Sequence, residues 1–139
     1  MIDLYRYFNK PEKLDMHFVY ADLIDTIISK QFRCENSFGP ILHIIKRSYF
    51  YSYRYALIVI KGRWKEVEPN IMKNTLYSYY YALHVIDGRW YEAEPYIMLN
   101  PNIAHMYARW IIKDRWFEAE HYIKKDKVWW SEYNKYVLK

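Results

Sequence analysis

Gly88-Arg89-Trp90-Tyr91-Glu92-Ala93-Glu94 is the middle of three versions of one phrase. The first is Gly62-Arg63-Trp64-Lys65-Glu66-Val67-Glu68 and the third is Asp114-Arg115-Trp116-Phe117-Glu118-Ala119-Glu120, each 26 residues from the next. A repeat of this length predicts stacked supersecondary units, because one such unit cannot bury its own apolar face. Residues present in three equivalent copies are expected to do one structural job three times. The same spacing therefore points away from catalysis.

Working outward, the frame carries a second signal. Ser48, Asn74, Asn100 and Asp126 fall at one repeat position, and all four are preferred helix N-caps. Pro101 follows Asn100 where its missing N–H costs nothing. Gly62, Gly88 and Asp114 tolerate the left-handed conformation that ends a helix. A helix A is thus expected over about 49–61, 75–87 and 101–113, with a fourth copy from about 127 onward. Within it Tyr55, Ala56, Val59 and Ile60 recur as Tyr81, Ala82, Val85 and Ile86, and as Tyr107, Ala108, Ile111 and Ile112. That spacing makes a stripe facing neighbouring helices. The last copy has Tyr133, Asn134, Val137 and Leu138, and Asn134 suits a face that meets water.

A shorter helix B is expected over roughly 65–73, 91–99 and 117–125. Pro69 and Pro95 would break it in mid-course, so it should start late, after a 3₁₀ turn. Copies one and two agree at most positions from Tyr51 to Asn74. A degenerate earlier copy places Phe38 on the Trp position and Ile45 on the Ile71 position. Further upstream, Asn9-Lys10-Pro11-Glu12 reads as a capping box. Leu14, Phe18, Ala21, Ile24 or Asp25, Ile28 and Phe32 follow at helical spacing, predicting a helix over about 10–32 that covers the open end.

The chain of 139 residues reads as one all-α domain. It divides into an N-terminal capping region 1–37, a degenerate repeat 38–50, three repeats over 51–126 and a C-terminal capping helix 127–139. The architecture expected is a right-handed array of short helical hairpins, tetratricopeptide-like in logic but shorter in period. Hydrophobic residues at 53% and aromatics at 21% exclude a disordered chain. Three glycines and five prolines argue against a turn-rich β fold. The lone Cys34 excludes an internal disulfide and fits a reducing compartment. No apolar stretch approaches the ~20 residues of a membrane span, and MIDLYRYFNK lacks the pattern of a secretory signal. A soluble intracellular protein is expected, with no membrane association.

Chemistry-bearing motifs are sparse. The two glutamates of each phrase are two residues apart and point away from one another. No histidine pair has zinc spacing, and no phosphate loop or nucleophile elbow is present. No enzyme, cofactor or metal is expected. Arg63, Arg89 and Arg115 are expected to pair with glutamates of the same or next unit, with Trp64, Trp90 and Trp116 packed between helices.

Positions where the copies differ are the candidates for binding. Arg54, Tyr80 and Met106 share one position of helix A; Ile58, His84 and Trp110 share another one turn on. Together they would form one stripe of residue types favoured at interface centres. A second variable row is Lys65, Tyr91 and Phe117. Two readings stay open for these rows, a partner-binding surface or simple packing against the N-terminal helix. Nucleic acid is the rival partner, since aromatics and arginines in helical repeats can stack bases. The net charge of +5 is only mildly basic, and the basic excess gathers at Lys124, Lys125, Lys127, Lys135 and Lys139. Self-assembly through exposed repeat ends is a third possibility.

The stretch Tyr81-Ala82-Leu83-His84-Val85-Ile86-Asp87-Gly88-Arg89-Trp90-Tyr91-Glu92-Ala93-Glu94-Pro95-Tyr96-Ile97 resembles tandem helical repeats found in accessory proteins of tailed bacteriophages. The resemblance covers about 51–139, and the third copy departs from it at Asp114 and His121. It implies a non-enzymatic α-helical repeat protein in the cytoplasm of an infected bacterium. Its expected partner is a bacterial host protein that it binds and inhibits, including components of antiviral defence.

Overall fold

The computed structural model describes residues 16–31 and 39–139, and these are helical with no strand among them. In chain order the α-helices are α1 (Met16–Ser29), α2 (Gly39–Arg47), α3 (Tyr49–Tyr55), α4 (Glu68–Ile71), α5 (Thr75–Tyr81), α6 (Glu94–Ile97), α7 (Pro101–Tyr107), α8 (Phe117–Ile123) and α9 (Lys127–Tyr136). The capping box at 9–12, Leu14, Phe32, Cys34 and Phe38 lie outside the described residues.

Each long helix starts on its cap. Ser48, Asn74 and Asn100 are extended, and their side-chain oxygens accept the amides of Tyr51, Tyr77 and Ile103. Asp126 accepts from Val128 and Trp129. Each such bond stabilises a helix by about 1 kcal/mol.

The helix ends differ from the sequence expectation. The α-helical part of α3, α5 and α7 stops after two turns and relaxes into a π-helical turn over Ala56–Ile60, Ala82–Ile86 and Ala108–Ile112. The left-handed residues are Lys61, Asp87 and Lys113, at φ 58°, 57° and 60°, one position before Gly62, Gly88 and Asp114. The wide turn explains the offset. The left-handed residue returns its amide to the carbonyl of Ala56, Ala82 or Ala108. Gly62 and Gly88 then add their own amides to the Ala56 and Ala82 carbonyls from an ordinary conformation.

The short helices are shorter than expected, and proline sets their starts. In copy one a 3₁₀ turn, Lys65–Val67, precedes α4, which holds Pro69 in its first turn. Copy two has a hydrogen-bonded turn over 91–93 in its place, and Pro95 again falls in the first turn of α6. Copy three has His121 instead, and α8 runs unbroken from Phe117. Proline cannot donate the bond that an earlier start would need. Each long helix packs on the short helix after it and on the next long helix, α3 on α5, α5 on α7 and α7 on α9. The fully buried Ala56, Ala82 and Ala108 permit that close approach.

At the N-terminal end α1 buries Leu23, Ile24, Ile27 and Ile28 against Ile41 and Ile45 of α2 and against Tyr55 and Val59. Asp25 is exposed and ion-paired to Arg54. The Ser52 hydroxyl donates to the Ile45 carbonyl at 2.8 Å, as the Ser78 hydroxyl does to the Ile71 carbonyl at 3.2 Å. At the other end Trp130 stacks on Tyr133, with centroids 5.4 Å apart and planes 17° apart. The Lys124 ammonium covers Trp130 at 4.8 Å. Asn134 is exposed there and donates to the Trp130 carbonyl.

Candidate partner-binding surface

The surface is displayed by a joint that recurs in all three phrases. Arg89 clamps Glu94 with two bonds of 2.8 Å, from Nε and Nη2 to the two carboxylate oxygens. Tyr107, from the next long helix, donates its hydroxyl to the same carboxylate at 3.0 Å. The Tyr107 oxygen also accepts the Trp90 backbone N–H at 2.6 Å. Arg63, Glu68, Trp64 and Tyr81 repeat the arrangement, as do Arg115, Glu120, Trp116 and Tyr133. The rings of Tyr81 and Tyr107 pack on the Trp of their own unit, Trp90 and Trp116, at 4.9 and 5.0 Å. One tyrosine thus bolts two units together, by its ring on one side and its hydroxyl on the other.

The electrostatics follow from this geometry. Hydrogen bonding to glutamate raises Arg63, Arg89 and Arg115 above the usual guanidinium value. The Arg115 bonds lower Glu120. Burial pushes Tyr81 and Tyr107 well up, and Tyr133 up to about 12. Every oxygen of the buried carboxylate is occupied, so the joint is a saturated structural network. Trp64, Trp90 and Trp116 are held inside it. Among the described residues the buried Trp90 indole N–H has no acceptor, so its side chain contributes there by packing. The sequence frame had marked Arg, Trp, Glu and Tyr but not the hydroxyl bridge between them. Its signal is the constant 17-residue step from each Trp to the tyrosine that caps it.

The variable residues divide. Arg54, Ile58, Tyr80 and His84 come together around one groove of about 430 Å³, lined also by Phe50, Tyr53, Leu57 and Tyr77. Tyr80 stacks on His84, with centroids 6.1 Å apart, and touches Tyr53 and Tyr77 at 6.1 and 5.9 Å. Arg54 and Ile58 are also engaged with the N-terminal end, Arg54 by its pair with Asp25 and Ile58 by packing on the α1–α2 cluster. Tyr80 and Met106 both pack against the main core, and Met106 does not line the groove. Trp110 stands apart at 49% exposure, with the Arg109 guanidinium 4.6 Å from its ring. The stripe is therefore a groove at one end and a lone indole at the other.

In the second row Tyr91 and Phe117 are each 66% exposed. Arg89 and Arg115 lie over them at 4.7 and 4.5 Å, so these rings cover the outer faces of the joints. Lys65 is exposed, and Arg63 instead approaches Glu92 of the next unit at 3.8 Å. A second groove, of about 530 Å³, was not anticipated. Pro69, Met72, Lys73, Thr75, Tyr96, Leu99 and Asn100 line it. Tyr96 and Leu99 are 52% and 59% exposed. Copy-to-copy variation would have found it, since Asn70, Tyr96 and Tyr122 share one repeat position and Lys73, Leu99 and Lys125 another.

No helix among the described residues is long and apolar enough to cross a membrane. No protein-family model, curated protein or solved structure matches the chain.

Proposed function

We propose that this chain is a non-enzymatic protein-binding module, a right-handed helical-repeat array that works by burying its exposed aromatic side chains in a partner. One observation carries the reading. The glutamate and tyrosine of each joint recur in every copy and are buried, as are Trp90 and Trp116, whereas Tyr91, Trp110 and Phe117 are large, copy-specific and exposed, at 66%, 49% and 66%. Aromatic residues in water on a rigid scaffold are the usual anchors of interfaces. The scaffold holds them in place before binding, which lowers the entropic cost of association.

The resemblance to phage accessory repeats extends the reading to its setting. The module acts in the cytoplasm of an infected bacterium and occupies a host protein, blocking it, with defence components among the candidates. Binding through the groove at Tyr80 and His84 and through Trp110 is sufficient for such a block. No bond need be made or broken.

Affinity capture from bacterial lysate, with and without nuclease, tests this. A stoichiometric protein should survive nuclease and be lost with Tyr80→Ala or Trp110→Ala. The thermal unfolding of Trp110→Ala should stay near wild type, while Tyr80→Ala, whose ring also packs on the core, should unfold at a somewhat lower temperature. Recovery of nuclease-sensitive material alone would transfer the reading to nucleic acid. The cations stacked on aromatics near the C-terminal end favour that second reading. Lys124, Lys125 and Lys127 sit at one end of α9 and Lys135 and Lys139 at the other. Phosphate tracking wants charges along one groove, so protein binding leads.

A further inference from the structure

The outer edge of the long helices changes character from unit to unit. At one repeat position stand Leu57, Leu83, Arg109 and Lys135; at the next, Ile58, His84, Trp110 and Tyr136. At the helix end stand Lys61, Asp87, Lys113 and Lys139. Along the edge the paired positions pass from Leu57 and Ile58 at the N-terminal end to Arg109 with Trp110 and Lys135 with Tyr136 at the C-terminal end, so cations and aromatics replace aliphatic residues.

Arg109 is the centre of that cationic end. Its guanidinium carbon lies 3.7 Å from the Tyr136 ring centroid and 4.6 Å from that of Trp110. Lys135 and Lys139 approach the same Tyr136 ring at 4.7 and 5.8 Å. Arg54, Arg63, Arg89 and Arg115 each hold a carboxylate. Arg109 has no such partner among the described residues. A separation of 3.7 Å leaves room only for face-on stacking, which keeps the edge N–H donors of a guanidinium open for a carboxylate. Lys113, Lys135 and Lys139 likewise form no ion pair among the described residues; Lys113 is exposed four positions after Arg109 at the end of the same helix, and Lys139 is exposed near the Tyr136 ring. The carboxylates near this cluster are Glu132, which acts on Lys135 and, from α9 to α7, on His105, and Asp114, which follows Lys113 in the chain. Two carboxylates against the four cations Arg109, Lys113, Lys135 and Lys139 leave the patch positive.

We propose that this patch binds an acidic polypeptide segment, with Trp110 burying an apolar side chain of the partner while Arg109, Lys113, Lys135 and Lys139 take its flanking carboxylates. The inference rests on the protein-binding reading and names the chemistry of the partner for the C-terminal half of that surface. Charge complementarity supplies the class, and the single exposed indole supplies the anchor. A compact patch with one projecting ring suits a short acidic segment better than a nucleic-acid strand, which needs successive stacking platforms along a charged track.

Fluorescence anisotropy with a short labelled peptide of glutamates around a central phenylalanine tests the proposal on the full chain, with its lysine counterpart and a labelled oligothymidylate as the other arms. The acidic peptide should bind, weaken steeply with salt, and lose about tenfold in affinity on Arg109→Gln or Lys135→Gln. Trp110→Ala should weaken it at any salt concentration. Lys30→Gln, a charge change at the far end, should leave affinity unchanged. Absence of binding, binding indifferent to Arg109→Gln and Lys135→Gln, or tighter binding of oligothymidylate each overturns the proposal. The parent reading fails separately. If lysate capture yields a protein that Tyr80→Ala releases and Arg109→Gln does not, the module binds protein and this patch is not its acidic-segment site.

Discussion

Replacing Tyr107 by Phe removes one oxygen from the middle joint and leaves every ring contact in place. Tyr107 and Trp90 are fully buried, and the hydroxyl is the acceptor for the Trp90 amide at 2.6 Å. Without it that amide is a buried donor with no acceptor, at a cost of about 1–3 kcal/mol. The same change withdraws the 3.0 Å bond to Glu94, a charge-assisted bond worth about 1.5–3 kcal/mol on its own. Arg89 still holds both Glu94 oxygens, so the two losses do not add in full. A destabilisation of about 2–4 kcal/mol is expected, a large share of the ~5–15 kcal/mol that holds a domain of this size. Urea unfolding measures it as a lower midpoint at unchanged slope, with a fall in Tm of roughly 10 °C.

The neighbouring joints sharpen the test. Trp64 is only half-buried, so water can serve its amide when Tyr81 becomes Phe, and that variant should lose less than Tyr107→Phe. Combining Tyr107→Phe with Glu94→Gln should give less than the sum of the single losses, since both act on one bond. A Tyr107→Phe chain within about 0.5 kcal/mol of wild type would refute the account of the hydroxyl as the bolt between units.

Three further outcomes follow from the same geometry. Trp90→Ala should cost roughly 3–5 kcal/mol in urea unfolding, because a fully buried ring leaves a cavity, whereas Trp110→Ala should cost less than about 1 kcal/mol; equal losses would contradict their placement. Lys113→Gly should raise stability by up to about 1 kcal/mol, since the residue sits at φ 60° where a β-carbon is strained, and a drop in the denaturation midpoint would oppose this. His105 is buried against Trp129, and burial lowers its pKa, with Arg109 adding to the effect and a hydrogen bond with the Asn102 backbone and the charge of Glu132 opposing it. The unfolded chain therefore takes up the proton first, so stability should fall as pH drops below about 6.5, and His105→Phe should flatten that slope in a series of urea midpoints.

How far the fold was legible follows from what repetition reveals. A position identical in all copies shows that something is held there, as with Arg89, Trp90 and Glu94, and local rules then place the caps and the late starts at Pro69 and Pro95. Repetition does not show which atoms meet. The tyrosine hydroxyl reaching back to the preceding Trp amide is a contact between units, and no local rule encodes it. Nor do local rules foresee the π turn, because Gly62 and Gly88 advertise a left-handed conformation that Lys61 and Asp87 adopt instead. At the surface the limit is different. Variation among copies marks a position as free from the joint, but that freedom has several uses. Arg54 varies because it meets Asp25 of α1, and Met106 varies within the core. Trp110 varies in the open, beside a guanidinium with no carboxylate. Arg109, Lys135 and Lys139 collect around the rings of Trp110 and Tyr136, away from the joints. On this argument the joint and the binding surface have separate requirements, so one can be altered without the other.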